Sequence, residues 1–154
     1  MIHNGECKIN EPRNLTIKKV NQTDDLSFIY KVFGTDRVYK IIEKKIQSPN
    51  FNLFVGCLSD GTPVATIAIE YINGVANIDK VRTSENYRGK GYARQMTKFC
   101  VDWHYKNTKD CLLYLGYNNP IAGRIYLEAG FAFVEGMPES WHASVLATMY
   151  GAPL

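Results

Sequence analysis

The chain has 154 residues, with 18 Lys and Arg against 15 Asp and Glu, which gives a net charge of +3. This length favours one domain over residues 1–154, with its core at about 15–150, because two separate cores would each be undersized. An apolar share of 45% excludes a disordered chain, and the small charge excess does not indicate a nucleic-acid-binding face. No apolar run is long enough to span a bilayer, so we expect neither nucleic acid nor a membrane as a partner.

The cysteines are scattered along the chain, and no Cys-x-x-Cys pair occurs. Such spacing is typical of packing residues in a reducing compartment, and it offers no zinc-type ligand set. The first fourteen residues contain no apolar segment of the kind found in signal peptides. We therefore expect a cytoplasmic protein without a metal site. The four cysteines are Cys7, Cys57, Cys100 and Cys111.

The first part of the chain predicts one strand and two helices. Residues 15–20 alternate as a short strand does. Apolar residues then recur at helical spacing, with Asp24 or Asp25 as the cap and Gly34 as the stop. A second helix is predicted from about Asp36 to the break at Pro49, because proline lacks the amide hydrogen.

The hydrophobic period then changes to two, and this predicts three antiparallel strands over residues 51–59, 64–72 and 75–83. Turn signals at Asp60-Gly61 and Asn73-Gly74 separate these strands.

The rest of the chain predicts two helices alternating with strands. A long helix follows Gly91, a buried strand covers residues 110–117, and a short helix runs from Pro120 to a stop at Gly130. Residues 131–135 and 141–150 are the last predicted strands. The predicted order is therefore β-α-α-β-β-β-α-β-α-β-β.

One strand-to-helix junction carries the clearest chemical signal. Gly89 and Gly91 flank Lys90 immediately before the long helix, where glycine lets the backbone turn tightly and approach a ligand. The first amides of a helix have no intrahelical partner and lie at the positive end of its dipole, which favours phosphate or pyrophosphate. The spacing excludes a Walker loop, and Arg94 occupies the place of the third glycine of a dinucleotide fingerprint.

Two motifs resemble those of the GNAT superfamily of N-acetyltransferases. Residues 88–93, Arg-Gly-Lys-Gly-Tyr-Ala, are similar to the R-G-x-G signature of the family. Residues 119–131, from Asn119 to Phe131, resemble its N-x-x-A-x-x-L/I-Y-x-x-x-G-F motif. The resemblance implies an α+β, three-layer fold with a mixed, mostly antiparallel sheet and helices on both faces.

The resemblance also implies that acetyl-CoA lies where two neighbouring parallel strands, residues 75–83 and 110–117, splay apart. The end of the first strand would pair with the pantetheine arm, the amides of residues 88–93 would hold the pyrophosphate, and no metal would be needed. The implied acetyl-CoA-binding residues are Val81, Arg82, Thr83, Arg88, Gly89, Lys90, Gly91, Tyr92, Ala93, Asn119 and Tyr126.

The same resemblance suggests catalytic roles for a direct acetyl transfer. Tyr126 would approach the thioester sulfur and act as the general acid, and a backbone N–H at Val81 or nearby would polarise the thioester carbonyl. Asp79 or Glu70 are the candidates for the base that deprotonates the amine, with His142 a weaker one. No cysteine lies in a recognisable nucleophile setting.

The acceptor is an amine-bearing small molecule or peptide that the sequence does not identify. Phe33, Tyr39, Tyr71, Trp141 and Met149 lie in the regions that shape acceptor pockets in the family. Two alternatives remain: a non-catalytic acyl-CoA-binding sensor or assembly module of the same fold, and an RNA-associated basic protein. The family also leaves a homodimer open.

Overall fold

The computed structural model describes residues 14–108, 112–117, 120–133 and 147–151. Its strands and helices follow one another in the predicted order, and a 3-10 turn at Glu85–Tyr87 precedes the longest helix. In chain order they are β1 (Thr16–Lys19), α1 (Phe28–Phe33), α2 (Asp36–Lys45), β2 (Phe51–Cys57), β3 (Pro63–Ile72), β4 (Val75–Thr83), α3 (Tyr92–Asn107), β5 (Leu112–Tyr117), α4 (Pro120–Glu128), β6 (Phe131–Phe133) and β7 (Ala147–Gly151).

The strands form one sheet in the order β1-β2-β3-β4-β5-β7-β6. Neighbouring strands are antiparallel, with the exception of β4 and β5, which are parallel. A parallel pair needs a crossover, and α3 supplies it between these two strands. The predicted mixed, mostly antiparallel sheet is confirmed.

The α3 side of the sheet carries the larger apolar cluster. Ile67 and Ile69 of β3 project onto this side and are fully buried with Met96 and Cys100 of α3. Successive residues of a strand point to opposite faces, so this spacing places every second residue of β3 against the helix. Tyr126 of α4 belongs to the same cluster.

The opposite side of the sheet is covered by α1 and α2. Ile29 of α1 and Ile42 of α2 are fully buried against Leu53 of β2 and Ala68 of β3. Because both faces of β2 and β3 are covered, these strands read as nearly continuous apolar runs rather than as an alternating pattern. The predicted helices on both faces are confirmed.

The turn between β3 and β4 has the geometry that its sequence predicts. Asn73 and Gly74 both have positive φ, at 51° and 77°. Two successive residues with positive φ form the type I′ turn, whose twist matches that of the flanking strands. This turn fixes the register of Ile72 opposite Val75.

The start of α1 differs from the prediction that Asp24 or Asp25 caps it. Asp24 accepts a hydrogen bond from the N–H of Asn21, and Asp25 accepts two from Ser27. Both carboxylates therefore stabilise bends before the helix, which begins only at Phe28. The predicted stop at Gly34 is confirmed, with φ of 72° and its N–H donating to the carbonyl of Tyr30.

Candidate functional site

A gap opens between the two parallel strands at the centre of the sheet. They are paired from Val75 opposite Leu112 to Ile78 opposite Leu115. Although β4 continues to Thr83 and β5 to Tyr117, the described residues show no pairing between them beyond that point. On its other edge, β5 pairs with β7 as far as Tyr117. The second half of β4 therefore diverges from β5 and leaves a cleft.

A bulge in β4 lies where the two strands diverge. Opposite β3, Thr66 faces Arg82 and Ala68 faces Asp79, so Lys80 and Val81 together occupy the place of one residue. An extra residue in one strand bends it and increases its twist. Lys80 has φ of 54°, a conformation that side-chain-bearing residues seldom adopt.

The carboxylate of Asp79 holds this bulge on one side. It accepts hydrogen bonds from the backbone N–H of Lys80 and from its ammonium group, each at 2.8 Å. Burial alone would raise the pKa of the Asp79 carboxyl, but these hydrogen bonds and the charges of Lys80 and Lys45 together lower that pKa. Asp79 is therefore ionised and already paired near neutral pH.

The loop after β4 leads into the start of α3, which no side chain caps. Gly89 and Gly91 have φ of 77° and 81°, and Gly91 is the N-cap of the helix. Gly91 has no side chain to accept from the first amides, and the first turn contains no acidic residue. The N-terminal end of α3 is therefore electropositive and suited to an anion.

The basic side chains around this loop have different environments. The Nε of Arg88 donates to the carbonyl of Thr83 at 3.1 Å, and the ammonium of Lys90 lies 5.6 Å from the ring centre of Tyr87. Both side chains remain exposed, as does Arg82. Arg94 differs, because its guanidinium is paired with a carboxylate of α4. The exposed positive charge around the loop therefore comes from Arg82, Arg88 and Lys90.

A groove of about 340 Å³ lies between α3 and α4 and begins in the first turn of α3. Its floor is apolar, and its two cations belong to α3. It would be a neighbouring surface for a ligand whose anionic group lay on the first amides of α3. Its lining residues are Arg94, Lys98, Val101, Ile125, Glu128 and Ala129.

Tyr126 lies in the apolar cluster on the α3 side of the sheet and is only 5% exposed. Its ring packs edge-on against Phe131, with ring centres 6.1 Å apart. Burial raises the pKa of its phenol to about 12. The side chain of Val81 packs against the same cluster.

The two candidate carboxylates project from the other side of the sheet. Glu70 forms an ion pair with Lys45 of α2, at 2.9 Å. In the register of β3 and β4, Glu70 faces Asn77 and Asp79 faces Ala68, which packs under α1 and α2. The structure therefore brings Glu70 and Asp79 together on one face and leaves Tyr126 on the opposite face.

The candidate acceptor residues are spread over several places. Phe33 and Tyr39 pack against the α1–α2 side, whereas Tyr71 contacts the α3 side, with its hydroxyl 3.2 Å from Nδ1 of His104 and 3.0 Å from Oγ1 of Thr108. Met149 lies in β7. Asn119, Trp141 and His142, together with the ends of the last two predicted strands, lie outside the described residues.

Two features of the site have no signal in the sequence. The bulge contains a lysine at positive φ, where glycine or asparagine would have been recognisable. The pairing of Arg94 depends on Glu128, which is distant in sequence. Both depend on tertiary contacts rather than on local residue preference.

The described part of the chain contains no cluster of three or more His, Cys, Asp and Glu side chains able to hold a metal ion. No helix in that part is both long and apolar enough to cross a bilayer.

Comparisons with solved structures find close agreement in fold. A chimera of the spermidine N-acetyltransferase SpeG from Vibrio cholerae and hSSAT is 21% identical, with a TM-score of 0.68 over 90% of this chain and 95% of that one. The Escherichia coli protein ElaA is 17% identical, with a TM-score of 0.65 over 90% and 99%. An IAA acetyltransferase from Bacillus cereus is 14% identical, with a TM-score of 0.65 over 89% and 98%.

A search among curated proteins finds no match. The family described as acetyltransferase (GNAT) matches residues 20–131, which span the elements from the end of β1 to the start of β6. This match covers well over half of the chain and contains the divergent strands, the glycine loop and Tyr126. The chain therefore belongs to the GNAT family of acetyltransferases.

Proposed function

We propose that this chain transfers an acetyl group directly from acetyl-CoA to the primary amine of an acceptor. The observation that carries the proposal is the cleft between β4 and β5, which lies between the bulge at Lys80 and the electropositive start of α3. An extended ligand with a polar arm and a pyrophosphate fits this combination of free strand edge and helix N-terminus.

In this proposal the residues that bind acetyl-CoA follow the cleft. The pantetheine arm would lie along the end of β4, the pyrophosphate on the first amides of α3, and the thioester near Tyr126. The exposed Arg82, Arg88 and Lys90 would add mobile positive charge. The proposed binding residues are Val81, Arg82, Thr83, Arg88, Gly89, Lys90, Gly91, Tyr92, Ala93, Asn119 and Tyr126.

In the proposed reaction, the amine nitrogen bonds to the acetyl carbon, the carbon–sulfur bond breaks, and the sulfur leaves as a thiolate. The Val81 N–H would stabilise the negative charge that develops on the carbonyl oxygen. Tyr126 would donate its proton to the departing sulfur, and a base would take one from the amine. The separation of Tyr126 from the two carboxylates supports this division, because the amine and the thioester would then approach from opposite faces of the sheet.

Asp79 and Glu70 remain the proposed alternatives for the base. An alkylammonium has a pKa near 10.4, so a carboxylate whose pKa is lowered is a poor acceptor of its proton. Asp79 is also committed to the N–H and ammonium of Lys80. Glu70 is likewise paired with the ammonium of Lys45, so we keep both carboxylates as alternatives for the base, acting directly or through water.

The alternative function is a non-catalytic acyl-CoA-binding module of the same fold. It would use the same cleft and the same start of α3, but would need no proton donor at the thioester. A cytoplasmic location and a homodimer also remain proposals, as does a requirement for no metal.

Thermal shift measurements with acetyl-CoA, CoA, ATP and NAD test the binding half of the proposal. Stabilisation by acetyl-CoA and CoA alone supports the cleft as the acetyl-CoA site, since a ligand that binds only the folded state raises the melting temperature. No shift with either CoA compound would contradict the proposal.

Thiol release from acetyl-CoA across a panel of amines then tests catalysis. Because several solved structures of the same fold are spermidine N-acetyltransferases, the panel should contain spermidine beside amino acids, aminoglycosides and peptides with free N-termini. Release that depends on an amine supports the transferase. Binding of acetyl-CoA without release for any amine would favour the non-catalytic module.

A further inference from the structure

The backbone carbonyl of Lys80 is held by a side chain of the neighbouring strand. The hydroxyl of Thr66 in β3 donates to this carbonyl oxygen at 2.8 Å. Thr66 is fully buried, at 0% exposure, so no water competes for the carbonyl from its side. The contact lies at the bulge itself, where the ordinary ladder of β3 and β4 is interrupted.

The hydrogen bond from Thr66 to the Lys80 carbonyl also determines the direction of the Val81 N–H. The Lys80 carbonyl and the Val81 N–H belong to one peptide unit, which is planar, and the structure contains no cis peptide bond among its described residues. In a trans peptide the two groups point in opposite directions. A hydrogen bond that draws the Lys80 carbonyl toward Thr66 therefore turns the Val81 N–H away from Thr66 and from β3.

The preceding peptide unit is held by a second side chain. The Lys80 N–H donates to Oδ1 of Asp79, so that a side chain fixes the peptide on each side of the bulged residue. Lys80 is at φ of 54°, and a strained conformation of this kind persists only where its surroundings determine it. Thr66 and Asp79 are the groups that do so.

We propose that Thr66 is a positioning residue that aims the Val81 N–H at the thioester carbonyl of acetyl-CoA. This inference rests on the proposed function, in which that N–H stabilises the developing oxyanion. Without the Thr66 hydroxyl, the Lys80–Val81 peptide loses its anchor and rotates, and the N–H no longer points at the carbonyl. Thr66 itself touches neither acetyl-CoA nor the amine.

The test compares Thr66→Val, which has nearly the same shape but no hydroxyl, with Thr66→Ser, which keeps the hydroxyl and loses a methyl group. Thr97→Val is the matched control. Thr97 is also fully buried, and its hydroxyl also donates to a backbone carbonyl at 2.8 Å, that of Ala93, but it lies in α3 away from the bulge. Thr66→Ala serves as a second hydroxyl-free variant if the valine variant does not fold.

The readout is the carbonyl stretching band of bound [1-13C]acetyl-CoA, measured by isotope-edited infrared spectroscopy. A hydrogen bond to the carbonyl moves this band to lower frequency than in free acetyl-CoA. We expect the lowered band in the wild type, in Thr66→Ser and in Thr97→Val, and a band close to that of free acetyl-CoA in Thr66→Val. The rate of acetyl transfer in a single turnover should fall by about tenfold to a hundredfold in Thr66→Val, with binding of CoA unchanged.

A band at the wild-type position in both hydroxyl-free variants would overturn the inference, as would an equal displacement in Thr97→Val. A wild-type band at the free position would also overturn it, while leaving acetyl-CoA binding intact. Failure of the wild type to bind acetyl-CoA would instead contradict the proposed function. The two failures are therefore distinguishable.

Discussion

Arg94 and Glu128 form an ion pair, with Nε 2.7 Å from Oε2, that joins the first turn of α3 to the end of α4. Both side chains are about half exposed, at 56% and 47%. The carboxylate therefore offsets one of the positive charges closest to the proposed pyrophosphate position.

The Glu128→Gln variant should bind CoA more tightly than the wild type. Loss of the carboxylate leaves the Arg94 charge uncompensated beside an anionic ligand, and an exposed charge contributes about 0.5–1 kcal/mol, or twofold to fivefold in affinity. Isothermal titration at low and high salt measures the change, which should shrink as salt screens it. Unchanged affinity at low salt would indicate that Arg94 lies too far from the ligand.

Tyr126→Phe should lower the rate of acetyl transfer by about 10²–10⁴-fold, the usual contribution of one general acid. The phenol has a pKa of about 12 in the unliganded protein, so it stays protonated throughout an assay range up to pH 10. We therefore expect no alkaline decline of kcat/KM from Tyr126 in that range.

The control for this variant is the affinity for CoA, which shows how much of the loss comes from weaker binding rather than from the missing proton donor. A wild-type kcat in Tyr126→Phe with a good acceptor would exclude the residue as the general acid. The side chain of Tyr126 would then serve only to pack against Phe131.

Asp79 should make stability depend on pH in the acid range. Its pKa is lowered from 3.8 in the folded protein, so the unfolded chain binds its proton more tightly. The resulting stabilisation is present above the unfolded pKa and is lost as the pH falls through the folded value. Urea unfolding of the wild type and Asp79→Asn between pH 6 and pH 3 should show the wild type losing its advantage as pH falls. A difference in the free energy of unfolding that stays constant across this range would contradict a lowered pKa for Asp79.

Cys100 should be the more protected of the two cysteines that the structure describes. It is fully buried in α3, and burial raises the pKa of its thiol to about 12, which leaves a thiolate fraction of about 10⁻⁴ at pH 8. Cys57 is partly exposed, although burial raises its pKa as well. Iodoacetamide labelling with peptide mass spectrometry should modify Cys57 first and Cys100 only in denaturant. Rapid native labelling of Cys100 would indicate that α3 opens locally.

Gly56→Ala should destabilise the protein by about 1–3 kcal/mol through overpacking. A methyl group at this position in β2 would lie 2.7 Å from the sulfur of Met96 and 2.8 Å from Cδ1 of Leu15. Chemical denaturation measures the cost. In combination with Met96→Ala, which makes room, the loss should be smaller than the sum of the two single losses.

Much of the fold follows from local signals in the sequence. The change of hydrophobic period after Pro49 separates the two helices from the three strands, and the Asn73-Gly74 pair fixes a turn that the structure contains. The prediction that Asp24 or Asp25 caps α1 is wrong, because a short acidic side chain stabilises a bend as readily as a helix start. The local sequence pattern does not distinguish an Asp that stabilises a bend from one that caps a helix.

The candidate site is less accessible to sequence reasoning. The glycine loop and Tyr126 are recognisable because they belong to motifs with fixed spacing. The bulge at Lys80 is not, because its stability comes from Thr66 on another strand and from its own neighbour Asp79. A hydrogen bond between strands is set by register, which single-residue preferences do not encode.

The short pairing between β4 and β5 also bears on how the chain folds. The strands β2, β3 and β4 are joined by short turns, so their contacts are local and close early. The parallel pairing of β4 with β5 requires α3 to cross over first. In the described residues this pairing consists of the residue pairs from Val75–Leu112 to Ile78–Leu115. We expect the β4–β5 pairing to form last and to open first. A ligand that contacts both β4 and β5 would hold the two halves of the sheet together and would therefore slow unfolding. Acetyl-CoA, if it binds there, would raise kinetic stability in addition to serving as a substrate.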